Sequence, residues 1–369
     1  MRSYLNYASM GRLRPRARNV MRAALEDVLP FGAAYSAPLM AAMSRSRAAG
    51  AKLLGCGPDE LALIQNTSTG VHLVADGLSW SPGDEIVLFD RDFPANVLPW
   101  LRVRDRHGAV VRWVPMREDG GYDLADLEKA LSPRTRVVAV SLVNFATGYT
   151  VDLGTVCDLA AGHGALVFCD AIQGLGALPL DVRETPVDFL TSGGHKWLCG
   201  PPGTGLFYAR QEALAMLGDG PAGWFGYTGA TDMLAKGPGH FTYDLEPRPQ
   251  ARRFEGGMPN LLGLLGFAES LEELLETGLP RVHARVLALA AQVREGVREA
   301  GYTLRGPEGS GIVAFAHPVT PAADLCARLA DQGCHLSYPD GILRASPHYW
   351  TDDDEMHIML AALQQHARN

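Results

Sequence analysis

The sequence predicts an α/β protein: a mostly parallel sheet with helices on both faces, followed by a smaller α/β domain. Three observations carry this. Between residues 59 and 207, short runs rich in β-branched and apolar residues alternate with helical segments. Those runs are continuously apolar rather than alternating, as strands covered on both sides are. Toward the C-terminus the alternation of strand and helix returns on a smaller scale.

In chain order, "ELALIQ" reads as a strand and leads into a helix over 68–78. "DEIVLF", "AVVRWVPM", "RVVAVSLV", "ALVFCDA", "DFLTSGG" and "GTGLFYA" are the strands that follow. After Gly220 comes a long irregular stretch, "GPAGWFGYTGATDMLAKGPGHFTYDLEPRPQARRFEGGMPN". A compact domain seldom keeps such a segment without a use for it. A helical region over 261–300 and the smaller α/β portion complete the chain. The expected division is a large domain over 16–250 and a small one built from 1–15 and 251–369.

Composition excludes several classes. The chain has 369 residues, 47% of them hydrophobic and 20% charged, with a formal charge of −8, so it has no basic surplus for a nucleic acid backbone. Its first residues lack the apolar core of a secretory signal, and its longest apolar runs are too short and interrupted to cross a bilayer. A cytoplasmic location without membrane partners is expected. Six cysteines (Cys56, Cys157, Cys169, Cys199, Cys326, Cys334) form no CxxC pair, which argues against a zinc site and a disulfide framework. They are expected to pack as small apolar residues.

Ligands of open α/β sheets collect at the carboxyl ends of the strands. After "ELALIQ" stands "NTSTG", where Thr67 and Ser68 open a helix; hydroxyls, free N–H groups and the helix dipole together suit a phosphate. After "DEIVLF" comes Phe93. After "ALVF" comes "CDAIQ", with Asp170 alone behind an apolar strand and Gln173 a helical turn later. A buried carboxylate there needs a cationic partner. The strand "DFLTSGG" then delivers His195 and Lys196. One cofactor accounts for the set. Pyridoxal phosphate needs a lysine for its Schiff base, an acid for its pyridinium nitrogen and a site for its phosphate.

"CDAIQGLGALPLDV", "DFLTSGGHKWLCGPPGTGLFYAR", "RRFEGGMPN" and "LRASPHYWT", in this order, resemble the class V aminotransferase family of fold-type I pyridoxal phosphate enzymes. That family includes cysteine desulfurases, isopenicillin N epimerase-like proteins and kynureninase. The resemblance runs from about Asn6 to His348. It implies a seven-stranded, mostly parallel sheet in a large three-layer domain, and a homodimer with active sites shared between subunits. Lys196 becomes the Schiff-base lysine and carrier of the α-proton, Asp170 the pyridinium partner, and Gln173 the contact to the phenolic oxygen. His195, Thr67 and Ser68 hold the phosphate, with Ser192 a further candidate, and Phe93 stacks on the ring. Arg344 binds the substrate's α-carboxylate, for which a guanidinium fork is suited. Asn144 is a candidate cofactor or substrate contact. Asn6 and Tyr7 are expected at the entrance, and the aromatics between Trp224 and Tyr243 around the pocket.

Three departures from the desulfurase pattern narrow the chemistry. Phe93 stands where desulfurases stack a histidine, which removes an acid–base group from the ring face. Cys334 falls in or beside a strand rather than on the flexible loop that carries a desulfurase nucleophile. Met258 replaces the threonine that reaches across the dimer to the neighbour's phosphate, and a thioether is no hydroxyl donor. The expected activity is a pyridoxal phosphate enzyme that takes the α-proton of an amino acid. Aminotransferase is the first reading, then a C–S β-eliminating lyase, then an epimerase, with a non-catalytic cofactor-binding protein last.

Overall fold

The computed structural model describes residues 2–28, 36–218, 220–221 and 223–367. Seven strands form the central sheet: β1 (Leu61–Ile64), β2 (Glu85–Phe89), β3 (Val110–Val114), β4 (Thr135–Ser141), β5 (Leu166–Asp170), β6 (Phe189–Gly193) and β7 (Gly205–Ala209). Their order is β1-β7-β6-β5-β4-β2-β3, and β7 alone runs against the rest. The carboxyl ends of β1, β2, β5 and β6 therefore share one edge.

Strand residues alternate between two apolar layers. Ile86 and Leu88 of β2 pack with Val71, Val74 and Trp100, whereas Val87 and Phe89 of the same strand belong to the opposite layer with Val156, Leu264 and Phe267. Both faces are covered, so β1, β2, β6 and β7 are buried along their whole length. Only the edge strand β3 is substantially exposed.

The expected helical region over 261–300 is two helices, Leu261–Thr277 and Leu279–Glu299. Gly278 separates them at φ 89°, a conformation that costs a side-chain-bearing residue steric strain, and Pro280 opens the second. The break marks a change of partner. Leu261, Leu264, Phe267 and Leu271 pack into the large domain's core, while Leu289, Val293 and Val297 join a separate cluster with Leu5, Val313, Phe315, Leu343 and Met359. The residues from 251 to 277 therefore pack with the large domain, against the expected boundary at 250. The small domain's sheet, Leu343–Ala345, Val313–Ala316 and Thr303–Leu304, is antiparallel. An N-terminal segment packs with it: Ser3–Tyr4 pairs with Cys334–His335, and Asn6 bridges to Ser346. No helix among the described residues is long and apolar enough to cross a membrane.

Candidate active site

The strand ends open into a cleft of about 390 Å³. Its wall combines large-domain residues Thr67, Ser68, Phe93, Asp170, Gln173, His195 and Lys196 with Ala8, Ser9, Pro339 and Arg344.

Thr67 begins the helix Thr67–Gly77 directly after β1, and Asn66 caps it by accepting from the Thr69 N–H. Gly70 lets this helix lie against β6, for a Cβ there would stand 2.1 Å from Thr191 Oγ1. The Gly193 N–H donates to Thr67 Oγ1 at 3.0 Å, leaving the hydroxyl proton to donate elsewhere. Asp170 ends β5 and its Oδ1 accepts from the Ile172 N–H at 3.0 Å. Lys196 follows β6 in a turn closed by Cys199 N–H donating to its carbonyl. Its Nζ lies 5.4 Å from the centre of the Phe93 ring.

Charge is the distinctive feature of this wall. Asp170, Lys196 and Arg344 are 1%, 9% and 4% exposed, and none has an ion-pair partner among the described residues. Burial pushes the Asp170 carboxyl up to about 7, helped by the nearby Asp92 carboxylate, and pushes Lys196 down to about 8. Burial likewise lowers Arg344 to about 10. Asp92 is itself held by Ser141 Oγ, by the Asn96 amide at 3.0 Å and by the Phe93 N–H at 2.7 Å, which ties the Phe93 loop to the end of β4.

Arg344 sits mid-strand in Leu343–Ala345. Its Nε donates to Ser337 Oγ at 3.0 Å, Nη1 to the Phe145 carbonyl at 2.6 Å and Nη2 to Ser9 Oγ at 2.6 Å. A guanidinium has five N–H groups, so two remain, the number a carboxylate takes in bidentate fashion.

The residues fit pyridoxal phosphate. An unpaired buried lysine faces an unpaired buried acid, and hydroxyls at an open helix N-terminus lie beside them. Thr67, Ser68 and His195 would hold the phosphate, Asp170 the pyridine nitrogen, Lys196 the aldehyde carbon and Phe93 the ring face. Gln173 lines the cleft, but its amide already donates to the Ala8 carbonyl and accepts from the Trp197 indole, both at 3.0 Å, so one N–H is left for the phenolic oxygen.

Four expected contacts do not line the cleft. Ser192 turns its hydroxyl to the Gly193 carbonyl at 3.3 Å, inside the sheet. Asn144 spends its side chain on its own loop, donating to the Arg91 carbonyl and Tyr122 hydroxyl and accepting from the Ala146 and Thr147 N–H groups. That loop carries Phe145, which does line the cleft. Tyr7 points into the core, stacked on His348 with ring centres 4.6 Å apart, and Asn6 bridges to Ser346. Ala8 and Ser9 occupy the cleft instead. Among the described residues, the stretch Trp224–Tyr243 adds none to the wall; Phe225 packs in the core, and Phe241 and Tyr243 are exposed. No cysteine lines the cleft either. Cys334 is buried in its strand and Cys199 is buried beside His348, with burial pushing its thiol up to about 12.

The protein is similar to known proteins along nearly all its length. It is 29% identical to a probable cysteine desulfurase of Methanothermobacter thermautotrophicus, covering 98% of this chain and 94% of the relative. It is 30% identical to a cysteine desulfurase of Klebsiella pneumoniae, covering 89% and 84%. Among solved structures, a cystine C-S lyase in complex with its reaction product cysteine persulfide superposes with a TM-score of 0.87 at 25% identity, covering 98% of this chain and 97% of that one. The sequence profile described as Aminotransferase class-V matches residues 32–347. With the lysine, acid and anion site gathered at the strand ends, this match means that the chain belongs to the class V aminotransferase family of pyridoxal phosphate-dependent enzymes.

Proposed function

We propose that the protein is a C–S β-lyase acting on cysteine or an S-linked cysteine derivative. The observation that carries this reading is a cleft that brings the buried Lys196 and Arg344 together with no cysteine in its wall. Relatives named for cysteine desulfuration and a neighbour named as a C-S lyase support sulfur chemistry at Cβ. Without a thiol to accept sulfur, the simplest outcome is release of the sulfur group itself. Transamination has less support: among the described residues that line the cleft, His195 and Lys196 are assigned to the cofactor and Arg344 alone remains to bind an anion, so a dicarboxylic amino donor lacks a second anchor.

Bound in the cleft, pyridoxal phosphate supplies an electron sink for the pair released at the substrate's α-carbon. Arg344 fixes the α-carboxylate through its two free N–H groups. Lys196 takes the Cα proton; its burial, which lowers its proton affinity, keeps more of it as the free amine. Asp170, buried at the end of β5, would face the pyridine nitrogen and favour its protonated form. The Cβ–S bond breaks with its electron pair leaving on sulfur, and the sulfur departs as a thiol after protonation. The 2-aminoacrylate left behind takes up water and yields pyruvate and ammonia. The Phe93 and Phe145 rings, edge to face with centres 5.1 Å apart, form an apolar part of the cleft wall.

The test is holoenzyme with L-cysteine, L-cystine and S-ethyl-L-cysteine, with and without a 2-oxo acid. Equal amounts of thiol or sulfide (persulfide from cystine), pyruvate and ammonia without the 2-oxo acid are expected. Dependence on the 2-oxo acid identifies an aminotransferase instead, and L-alanine as product identifies sulfur transfer to an acceptor; either result rejects the lyase. We also read the protein as a homodimer, from the resemblance and from the exposed Phe241, Tyr243 and Met258. A monomer mass by light scattering rejects that.

A further inference from the structure

We propose that the Ser9 hydroxyl is a further substrate-binding group, donating to the same α-carboxylate that Arg344 receives. This rests on the reading above that an amino acid's carboxylate meets Arg344. Ser9 lines the cleft and accepts from Arg344 Nη2 at 2.6 Å. That bond uses a lone pair on Oγ and leaves the hydroxyl proton, which has no acceptor among the described residues. The other two groups on Arg344 cannot act in the same way. The Phe145 carbonyl has no proton to give, and Ser337 does not line the cleft.

Ser9 is also held in place before any substrate arrives. The Ala8 N–H donates to Ser346 Oγ at 3.0 Å, the Ala8 carbonyl accepts from Gln173 at 3.0 Å, the Ser9 N–H donates to the Asn6 carbonyl at 3.0 Å, and the Gly11 N–H donates to the His195 carbonyl at 2.7 Å. A hydroxyl fixed on both sides by backbone bonds loses little freedom when it donates. The carboxylate site then has three donors on two elements: two N–H groups of Arg344 and the Ser9 O–H.

Titration of the holoenzyme's visible spectrum with glycine, and with methylamine as the same amine without a carboxylate, tests this independently of the reaction's outcome. Ser9→Ala is expected to weaken glycine binding about tenfold, the order of one hydrogen bond to an ionised group, and to leave methylamine unchanged. Ser9→Thr, which keeps the hydroxyl, is expected to restore glycine binding to within about twofold of wild type. Unchanged glycine binding in Ser9→Ala, equal weakening for methylamine, or no recovery in Ser9→Thr overturns the proposal. A wild-type holoenzyme whose spectrum ignores glycine removes the amino-acid reading itself and this proposal with it, so the two failures are separable.

Discussion

Replacing Arg344 by lysine keeps a positive charge in the cleft and removes the fork, so it separates charge from geometry. Three of the five guanidinium N–H groups are committed to Ser337 Oγ, the Phe145 carbonyl and Ser9 Oγ, and two are free. An ammonium has three N–H groups in total. The same three neutral acceptors would take all of them, and a substrate carboxylate would have to displace one. Two charge-assisted hydrogen bonds at about 1.5–3 kcal/mol each are then at stake, partly offset by the retained charge. A net loss of about 3 kcal/mol corresponds to roughly 100-fold weaker binding. The expected result for Arg344→Lys is a rise of that order in KM for the amino acid and in the glycine dissociation constant, with methylamine unaffected and the cofactor band intact. A change below about threefold would refute the donor count and make Arg344 a structural residue.

Further perturbations address the lysine, its support and the buried acid. Lys196→Ala is expected to lose the visible band that borohydride bleaches in the wild type, and all turnover, while keeping its circular dichroism. Gly11→Ala would place a Cβ 2.1 Å from the Lys196 carbonyl oxygen and 3.1 Å from the Cys199 Cα. Both are backbone atoms, so the Lys196 turn must shift, and an overpacking cost of about 1–3 kcal/mol with a clear fall in kcat is expected in thermal melts and kinetics. Asp170 gives a pH signature in the apoprotein. Its folded value is raised from 3.8 to about 7, so the folded state holds an extra proton between those limits and its stabilising contribution is lost as pH climbs through them. Asp170→Asn removes that dependence, so its melting temperature should gain on wild type from pH 5 to pH 8; a constant difference would show that Asp170 titrates normally.

What the sequence made legible was set by range. The strands and the residues at their carboxyl ends, Thr67, Phe93, Asp170 and Lys196, follow from local periodicity, because an apolar strand fixes where its next few residues emerge. The helix break at 278 also has a local signal in "GLP", which the apolar spacing of the flanking helices masks. The N-terminal segment is different. Whether Tyr7 or Ser9 faces the cleft depends on a bridge from Asn6 to Ser346 and on a stack against His348, contacts more than 300 residues away in sequence that no local pattern encodes. Asn144 misleads for a related reason: asparagine serves a loop's own backbone as readily as a ligand, and here it closes the turn that presents Phe145.

The two domains' contributions to the cleft explain why its charges are tolerated. Lys196 and Asp170 come from the large sheet, while Arg344 and Ser9 come with the small domain and its N-terminal partner strand. Each of the three charges is buried without an ion-pair partner, which costs stability that a better-paired site would keep. On the proposed function, the cofactor and substrate would supply what is missing: a pyridinium for Asp170, an aldehyde for Lys196 and a carboxylate for Arg344. Ligands that bind only the folded chain stabilise it, and here they also cancel a local penalty. Pyridoxal phosphate should therefore raise the melting temperature of wild type by more than it raises that of Asp170→Asn or Lys196→Ala at the same cofactor concentration. Three unpaired charges in the apoprotein therefore favour a cofactor and a substrate that between them carry the three complements.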